Sequence, residues 1–499
     1  MKIISTDKLD PKDLSPAQRD WVYNGLDACV TAEVLEQLLP QLDDTTSCTY
    51  QFARRLQGPV LDMRIRGVLV DTARKAEVIE LYYNRLEEME RCLRRLIEEG
   101  CEFYDCNWRS TKDLKALFYD HLGIPEIRKR KTHSVTVDRD ALDKLEIYYV
   151  AKPIVCFMKA MRDLHKKIEV LRTAIDHDGR IRTSYNIAGT STGRFSSSFS
   201  EFGTGGNLQN IEEDLRSIFI ADPGMKMAYF DAQQGESRCV GARLYTIFGD
   251  GDYLDACEGS DLHTTVSKLC WPDLPWTGDL AADKKLADEP YYRHYSRRFM
   301  SKKIGHGSNY GGRPRTLANQ SKIEQEVIEE FQPKYFATFP AIQEWHNWVK
   351  ERLYDSGKIN TLTGRRRQFW GRRDSDDVLR EAIAYDPQGS LADIVNAGMY
   401  TVWRHRECQL LMQVHDAIVV QFPEALEDEV VPRIIGQLRV HVDLGKRELV
   451  IPYEAKTGWN FGKYSKDNTD GLKEYKGGDT RKRQAQLGIL DRPIRRAYK

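Results

Sequence analysis

Two aspartates stand where apolar strands should end. Asp231 closes the run MKMAYFDA, and Asp416 interrupts LLMQVHDAIVVQF at a His-Asp tip. A carboxylate at the end of a β-rich apolar segment is costly to bury without a partner. Two of them brought together make a hard oxygen site suited to Mg²⁺, with Mn²⁺ as a substitute. Two such ions about 3.5–4 Å apart can activate an attacking hydroxyl and stabilise a leaving oxygen in an in-line displacement at phosphorus. An isolated Asp in a turn is usually structural, so the pair carries the reading and neither residue does alone. Between them in the chain, Arg298, Lys302, His306 and Tyr310 recur every four residues. That spacing drifts by about 40° per step and keeps all four on one broad helix face. Such a face suits a polyphosphate, Arg298 by its planar fork and Lys302 as a point charge and candidate proton donor. Gly307, Gly311 and Gly312 allow close backbone approach or break the helix.

The formal charge is zero, 75 Lys+Arg against 75 Asp+Glu, which taken alone argues weakly against a nucleic-acid partner. The balance is uneven along the chain. Residues 1–50 hold nine acids and four bases, and residues 464–499 hold ten bases and five acids. The stretch 291–316 carries seven Lys/Arg and no acid. GRRRQFWGRR at 364–373 interleaves five Arg with Phe369 and Trp370, and RKRK lies at 128–131. Basic clusters with aromatic residues suit a phosphate backbone and stacked bases. The alternative, solvated faces paired to local acids, is disfavoured for 291–316 because no acid is local.

The elements that must position these residues can be read coarsely. Residues 1–45 have helical apolar spacing. Gly58-Pro59 marks a break, after which LDMRIRGVLVD suits a strand or turn. Residues 72–99 form the longest periodic stretch, through Val78, Leu81, Leu86, Met89, Leu93 and Leu96, ended by Gly100. Another helix opens at Ser110 or Thr111 and stops at Gly123, and one more lies near 152–176. The Ser/Gly-rich segment 190–211 includes Arg194, Asn207, Gln209 and Asn210, so an ordered loop is expected and not a linker. MKMAYFDA alternates as a strand, 235–400 reads mostly helical, and the two runs flanking His415-Asp416 read as a hairpin. With 41% hydrophobic and 30% charged residues, the chain has the texture of a soluble globular protein of about three domains. No run is long and apolar enough for a membrane helix, and ten scattered Cys without a CxxC pair read as reduced cytoplasmic thiols.

Taken together these segments resemble the family A (DNA polymerase I-like) DNA polymerases over roughly residues 50–463. DAQQGESR at 231–238 resembles that family's motif A, RFMSKKIGHGSNYGG at 298–312 its motif B, and VHDA at 414–417 its motif C. TSTGRFSS with NLQNI, TLTGRRRQF, REAIAYDPQGSLAD and a thumb-like NWRSTKDLKALFYDHLGIP follow in the family's order. The resemblance implies an α+β right-hand fold with an antiparallel palm sheet and mostly helical fingers and thumb. It divides the chain into an exonuclease-like piece at 1–50, thumb at 51–180, palm at 181–240 and 401–463, fingers at 241–400, and a basic tail at 464–499. It implies a DNA-directed DNA polymerase acting on primer-template DNA and dNTP with two Mg²⁺ ions. Asp231 and Asp416 would bind metal. Arg298, Lys302, His306, Tyr310, Gln234 and Glu236 would meet the nucleotide, Glu236 crowding the 2′ position, with Lys302 a general acid. Arg194, Asn207, Gln209, Arg380, Gln388 and His415 would meet DNA.

The departures are specific. Ala417 replaces the usual Glu of motif C, His306 stands where Phe or Tyr is common, motif A reads Ala-Gln-Gln-Gly, and Ala384 replaces an Asn. The last costs one minor-groove hydrogen bond, about 1 kcal/mol. WVYNGLDACVTAEVL, with Tyr23, Asp27 and Thr31, resembles the last motif of a proofreading 3′–5′ exonuclease without its earlier carboxylates. No autonomous proofreading is expected, and a separate exonuclease or processivity subunit could dock on residues 1–50 or on the tail. Lack of a 5′-nuclease and the atypical motifs fit a bacterial virus. A single-subunit RNA polymerase and a non-catalytic DNA-binding subunit are the competing readings.

Overall fold

The computed structural model describes residues 12, 14–129, 132–200, 203–259 and 261–477. Arg130 and Lys131 of the RKRK loop, the start of the acidic segment and the tail beyond residue 477 lie outside the described residues. Helix α1 (Pro16–Leu38) opens with a capping box in which Gln18 N donates to Ser15 Oγ and Ser15 N donates back to Gln18 Oε1. None of its residues is buried.

Helix α2 (Asp44–Arg66) runs through the break expected at Gly58-Pro59, and LDMRIR is its last part. The cause is packing. A Cβ at Gly58 would lie 2.6 Å from Trp403, so glycine here permits helix contact and does not end the helix. Phe52, Leu56, Val60 and Met63 join the core around Met399 and Val402. Residues 51–66 therefore pack with the central sheet, not with the first helical lobe. Only β1 (Val68–Val70) is a strand in this region, paired with Arg180–Ile181 and Phe219–Ile220.

The first lobe is a pair of long helices, α3 (Thr72–Cys101) and α4 (Lys152–Leu171). Their shared core uses Val78, Tyr82, Leu86, Leu93 and Ile97 against Ile154, Met158, Met161 and Ile168. Leu81, expected inside, is 61% exposed because Tyr82 holds the inward position one residue later. Gly100 does not end α3; Glu102 does, in a left-handed conformation with φ 52°.

The central sheet is antiparallel and built from β2 (Met225–Ala232), β3 (Gln409–Val414), β4 (Ala417–Pro423), β5 (Tyr453–Gly458) and β6 (Lys473–Glu474). Its order is β3-β4-β2-β5-β6, so β2 lies at the centre. The alternation of β2 sorts the layers. Met227 faces the first lobe's core with Met412 and Val419. Ala228 and Phe230 face the opposite layer with Ile418, Val420 and Phe422. That layer includes α8 (Asp376–His405), apolar on most sides because it is enclosed on most sides. The second lobe comprises α5 (Gly235–Phe248), α6 (Leu262–Cys270), α7 and their neighbours. Helix α7 joins Arg297–Met300, a π-helical stretch Ser301–Gly305 and His306–Asn309.

One clasp ties α2 to the loops leading into the sheet. Arg182 reaches Asp176 at 2.6 Å and Asp178 at 2.7 Å while its Nε donates to Ile65 O at 2.9 Å. The Arg182 hydrogen bond lowers the Asp178 carboxyl to about 2. A depressed folded-state carboxylate contributes stability that is present above its unfolded pKa, about 3.9, and lost as pH falls toward about 2. Urea midpoints measured from about pH 5 to about pH 2.5 are expected to fall less steeply in Arg182→Met than in wild type. Equal slopes would remove the clasp from the acid response.

Candidate active site

Register places the two aspartates side by side. Asp231 of β2 pairs with Ala417 of β4, the residue after Asp416, and Ala232 N donates to Asp416 O at 3.2 Å. A two-residue turn carries Asp416, and His415 enters it with φ 53°, a conformation costly for a residue with a Cβ. Gln413 supports the tip, its Nε2 donating to His415 O at 2.5 Å. Gln209 donates to Gln413 Oε1 at 2.7 Å and is itself buried.

A cavity of about 420 Å³ opens above the pair, lined by Asp231, Gln234, Glu236, His263, Lys302, His306 and Asp416 among others. Four elements supply them: the sheet, the start of α5, α6 and α7. Burial pushes the Asp231 carboxyl above the ordinary carboxylate range, and the Asp416 charge adds to that. Burial does the same to Asp416, opposed by Arg194. Tyr229 OH donates to Asp231 Oδ1 at 3.2 Å. Two desolvated carboxylates repel each other, and a cation between them relieves both costs. Gln234, left-handed at φ 53°, adds a side-chain oxygen that is buried without a hydrogen-bond partner. This hard-oxygen donor set fits a divalent cation such as Mg²⁺.

Glu236 is the hub of a network. It accepts from Arg194 Nη2 at 2.5 Å and from Tyr310 OH, and His306 Nε2 lies 3.5 Å away. Burial, then the Glu236 charge, hold the Tyr310 phenol protonated, and the His306 ring stands edge-on to it at 4.9 Å. Lys302 and His306 thus face the cavity together, and Tyr310, just past the helix end, reaches the same network through Glu236. Lys302 lines the cavity with no ion-pair partner among the described residues.

Arg298 is not among the cavity-lining residues. Its guanidinium forks onto Asp261 at 3.0 and 3.2 Å. Other bases of the acid-free stretch are paired as well, Arg293 with Glu324 at 2.9 Å and Arg313 with Asp376 at 2.6 Å. In the 364–373 cluster, Arg365 meets Asp393, Arg366 meets Asp43 and Arg367 meets Glu381. Pairing to acids, disfavoured from the sequence for 291–316, holds for Arg293, Arg298 and Arg313 because the fold brings in acids remote in the chain. Of the remaining residues expected to touch DNA, Asn207 is exposed, its Oδ1 accepting from Gln209 N at 3.0 Å. His415 is exposed, Gln388 is half-buried on α8, and Arg380 pairs with Asp377 beside Gly311.

Sequence reasoning missed His263, Asp261 and Glu454. Asp261 caps α6 by accepting from Thr264 N at 3.0 Å and turns its carboxylate to Arg298. The Asp-x-His at a helix start was the available signal. Glu454 sits opposite Asp231 in the register of β5. His263 lines the cavity, and burial lowers its imidazole to about 4. It is therefore neutral at pH 7. In ¹H–¹³C NMR its ring resonances are expected to stay fixed between about pH 6 and 8 and to move near pH 4; a midpoint near 6.5 would contradict that environment.

The central sheet, the paired acids at its strand ends and the flanking helical lobes make up the right-hand polymerase fold. The POL domain of Pol1 from M. smegmatis, solved in complex with DNA primer-template and dNTP, superimposes with a TM-score of 0.71 at 23% identity, over 90% of this chain and 76% of that one. DNA polymerase family A matches residues 76–463, and the chain belongs to that family. DNA polymerase I of Chloroflexus aurantiacus is 27% identical over 465 residues, covering 88% of this chain and 45% of the relative. The thermostable DNA polymerase I of Thermus filiformis is 29% identical over 429 residues, covering 81% and 47%. The chain spans about half the length of the curated relatives it matches. Both are bacterial and lend no support to a viral source.

Proposed function

We propose that this chain is a DNA-directed DNA polymerase that adds dNTPs to a primer 3′-hydroxyl. The observation that carries the reading is the meeting of Asp231 and Asp416 at adjacent strand ends with the Lys302 face of α7 across one cavity. In this reading the sheet is the palm, residues 241–400 are chiefly the fingers, and α3 with α4 is the thumb.

Asp231 and Asp416 would hold the divalent cations, which when bound supply activation of the hydroxyl and stabilisation of the leaving oxygen. The primer hydroxyl gives up its proton to solvent and its oxygen bonds to the α-phosphorus while the bridging bond to the β-phosphate breaks. Lys302, unpaired at the cavity wall, balances triphosphate charge and delivers a proton from Nζ to the departing pyrophosphate. Neutral His263 beside it offers a ring nitrogen to the same phosphates. Arg298 serves them only by exchanging Asp261 for phosphate, which its fork permits. Glu236, fixed by Tyr310, forms a wall against a 2′-hydroxyl. Arg194, Asn207, Gln209, Arg380, Gln388 and His415 form the expected DNA side, with Gln209 acting through the hairpin it supports.

Partner docking on residues 1–50 belongs to the reading as well. The exposed Trp21, Tyr23, Leu26, Val30, Val34 and Leu38 of α1 support it. Proofreading is assigned to none of the described residues. Among them, no helix is long and apolar enough to cross a membrane.

Primer extension tests the assignment. Asp231→Asn and Asp416→Asn are each expected to lose activity by about a thousandfold, the scale of several kcal/mol of charge stabilisation. Extension at wild-type rates by either variant would refute the assignment. Lys302→Ala is expected to raise KM for dNTP far more than Kd for DNA, and equal loss of both would contradict its role. Glu236→Ala is expected to narrow the preference for dNTP over NTP by about tenfold or more while retaining extension. An unchanged preference would move sugar discrimination elsewhere, and a wild-type preference for NTP would favour an RNA polymerase.

A further inference from the structure

Arg194 has been given to DNA, yet in the fold its guanidinium lies among the acids. Nη2 stands 2.5 Å from Glu236 Oε1, 3.0 Å from Asp416 Oδ1 and 3.4 Å from Asp416 Oδ2. Both oxygens of Asp416 therefore face a positive charge on the side chain that a cation would use. The backbone behind Arg194 is fixed. Thr190 Oγ1 donates to Arg194 O at 2.6 Å, and Asn396 Nδ2 donates to Gly193 O at 3.3 Å. Gly193 sits at φ 80° directly under the Arg365 guanidinium, where a Cβ would come within 2.7 Å. The side chain can swing while the loop stays in place.

The guanidinium is incompletely satisfied where it lies. Its Nε is buried with no hydrogen-bond partner, an arrangement that costs free energy and eases departure. A quarter of the side chain is exposed, so a polyanion can reach it. Glu236 retains Tyr310 as a partner after Arg194 leaves, whereas Asp416 would be left as a bare half-buried carboxylate, the group a divalent cation satisfies.

We propose that Arg194 is a positioning residue that holds Asp416 in place of a divalent cation and releases it when primer-template DNA draws the guanidinium away. Binding of the cation and of DNA are then linked, and linkage is reciprocal: each tightens the other by the same factor. The identity of the polyanion rests on the polymerase reading. The competition between Arg194 and a cation for Asp416 does not.

The test uses the full chain and Mn²⁺, followed by the EPR signal of the free ion, with and without primer-template. Wild type is expected to bind Mn²⁺ weakly alone and more tightly with DNA. Arg194→Gln is expected to bind Mn²⁺ about five- to a hundredfold more tightly than wild type without DNA, and to gain less when DNA is added. Arg194→Lys, which keeps the charge on a shorter side chain, should fall between them, and Asp416→Asn should abolish the difference. Thermal melts confirm that each variant is folded. As a second readout, fluorescence anisotropy of labelled primer-template should show Mn²⁺ tightening DNA binding in wild type by the factor found in the reverse direction, and by less in Arg194→Gln. Equal or weaker Mn²⁺ binding by folded Arg194→Gln and Arg194→Lys overturns the proposal. Tighter binding in the variants, alongside a wild type that fails to extend any primer, upholds the competition and defeats the polymerase reading instead.

Discussion

Two carboxylates held close together and largely out of water impose the first condition on this fold. Neither Asp231 nor Asp416 can be ionised cheaply where it sits: burial opposes both, the Asp416 charge adds to the cost at Asp231, and the Glu236 charge adds to it at Asp416. The surroundings answer with partial compensation. Tyr229 donates to Asp231, Lys456 contributes charge from the next strand, and Arg194 reaches across to Asp416. An apolar surround would neutralise the pair, and a surround rich in cations would quench it. The intermediate balance keeps it receptive to an added cation.

Rigidity at this spot comes from close backbone packing. Gly235, at the start of α5, lies against Leu391 of α8, and Gly241 lies so close to Leu254 that a Cβ would come within 2.7 Å of its Cα. Glu236 lies in the first turn of α5, between these contacts. Its carboxylate can therefore serve as a fixed wall toward Tyr310 and His306. The π-helical stretch Ser301–Gly305 interrupts α7 between Arg298 and His306, so the four-residue spacing does not map onto an ideal cylinder. This accompanies the split in roles, Lys302 and His306 at the cavity and Arg298 on Asp261.

What could be read from the chain was chemistry written in local pattern. Asp231 and Asp416 ended apolar runs, and strands did place them together; the hairpin, the central strand and the helical lobes followed from periodicity. What could not be read was whatever depended on a second segment. Arg293, Arg298 and Arg313 of the acid-free stretch looked uncompensated because Glu324, Asp261 and Asp376 are distant in sequence. Gly58-Pro59 looked like a break because Trp403 is invisible from residue 58. Leu81 and Tyr82 compete for one inward position, and only the partner helix decides between them. His263 gave a faint signal, an Asp-x-His at a helix start, but its lowered imidazole is a product of burial.

The position of β2 has a consequence for how the protein comes into being. Its two neighbours follow it by about 185 residues in the case of β4 and about 220 in the case of β5, with the whole second lobe in between. During synthesis the Asp231 strand emerges long before either neighbour exists, with Ala228 and Phe230 apolar on one face and Met227 on the other. Such non-local pairing is slow, because loop closure must precede any reward from contact. Until Ala417 reaches Asp231, the first half of the chain has an unpaired strand edge, the kind of surface that invites misassociation. The meeting point of Asp231 and Asp416 is thus among the last parts of the molecule to form, and a ribosome stalled before residue 417 would carry most of the second lobe without it.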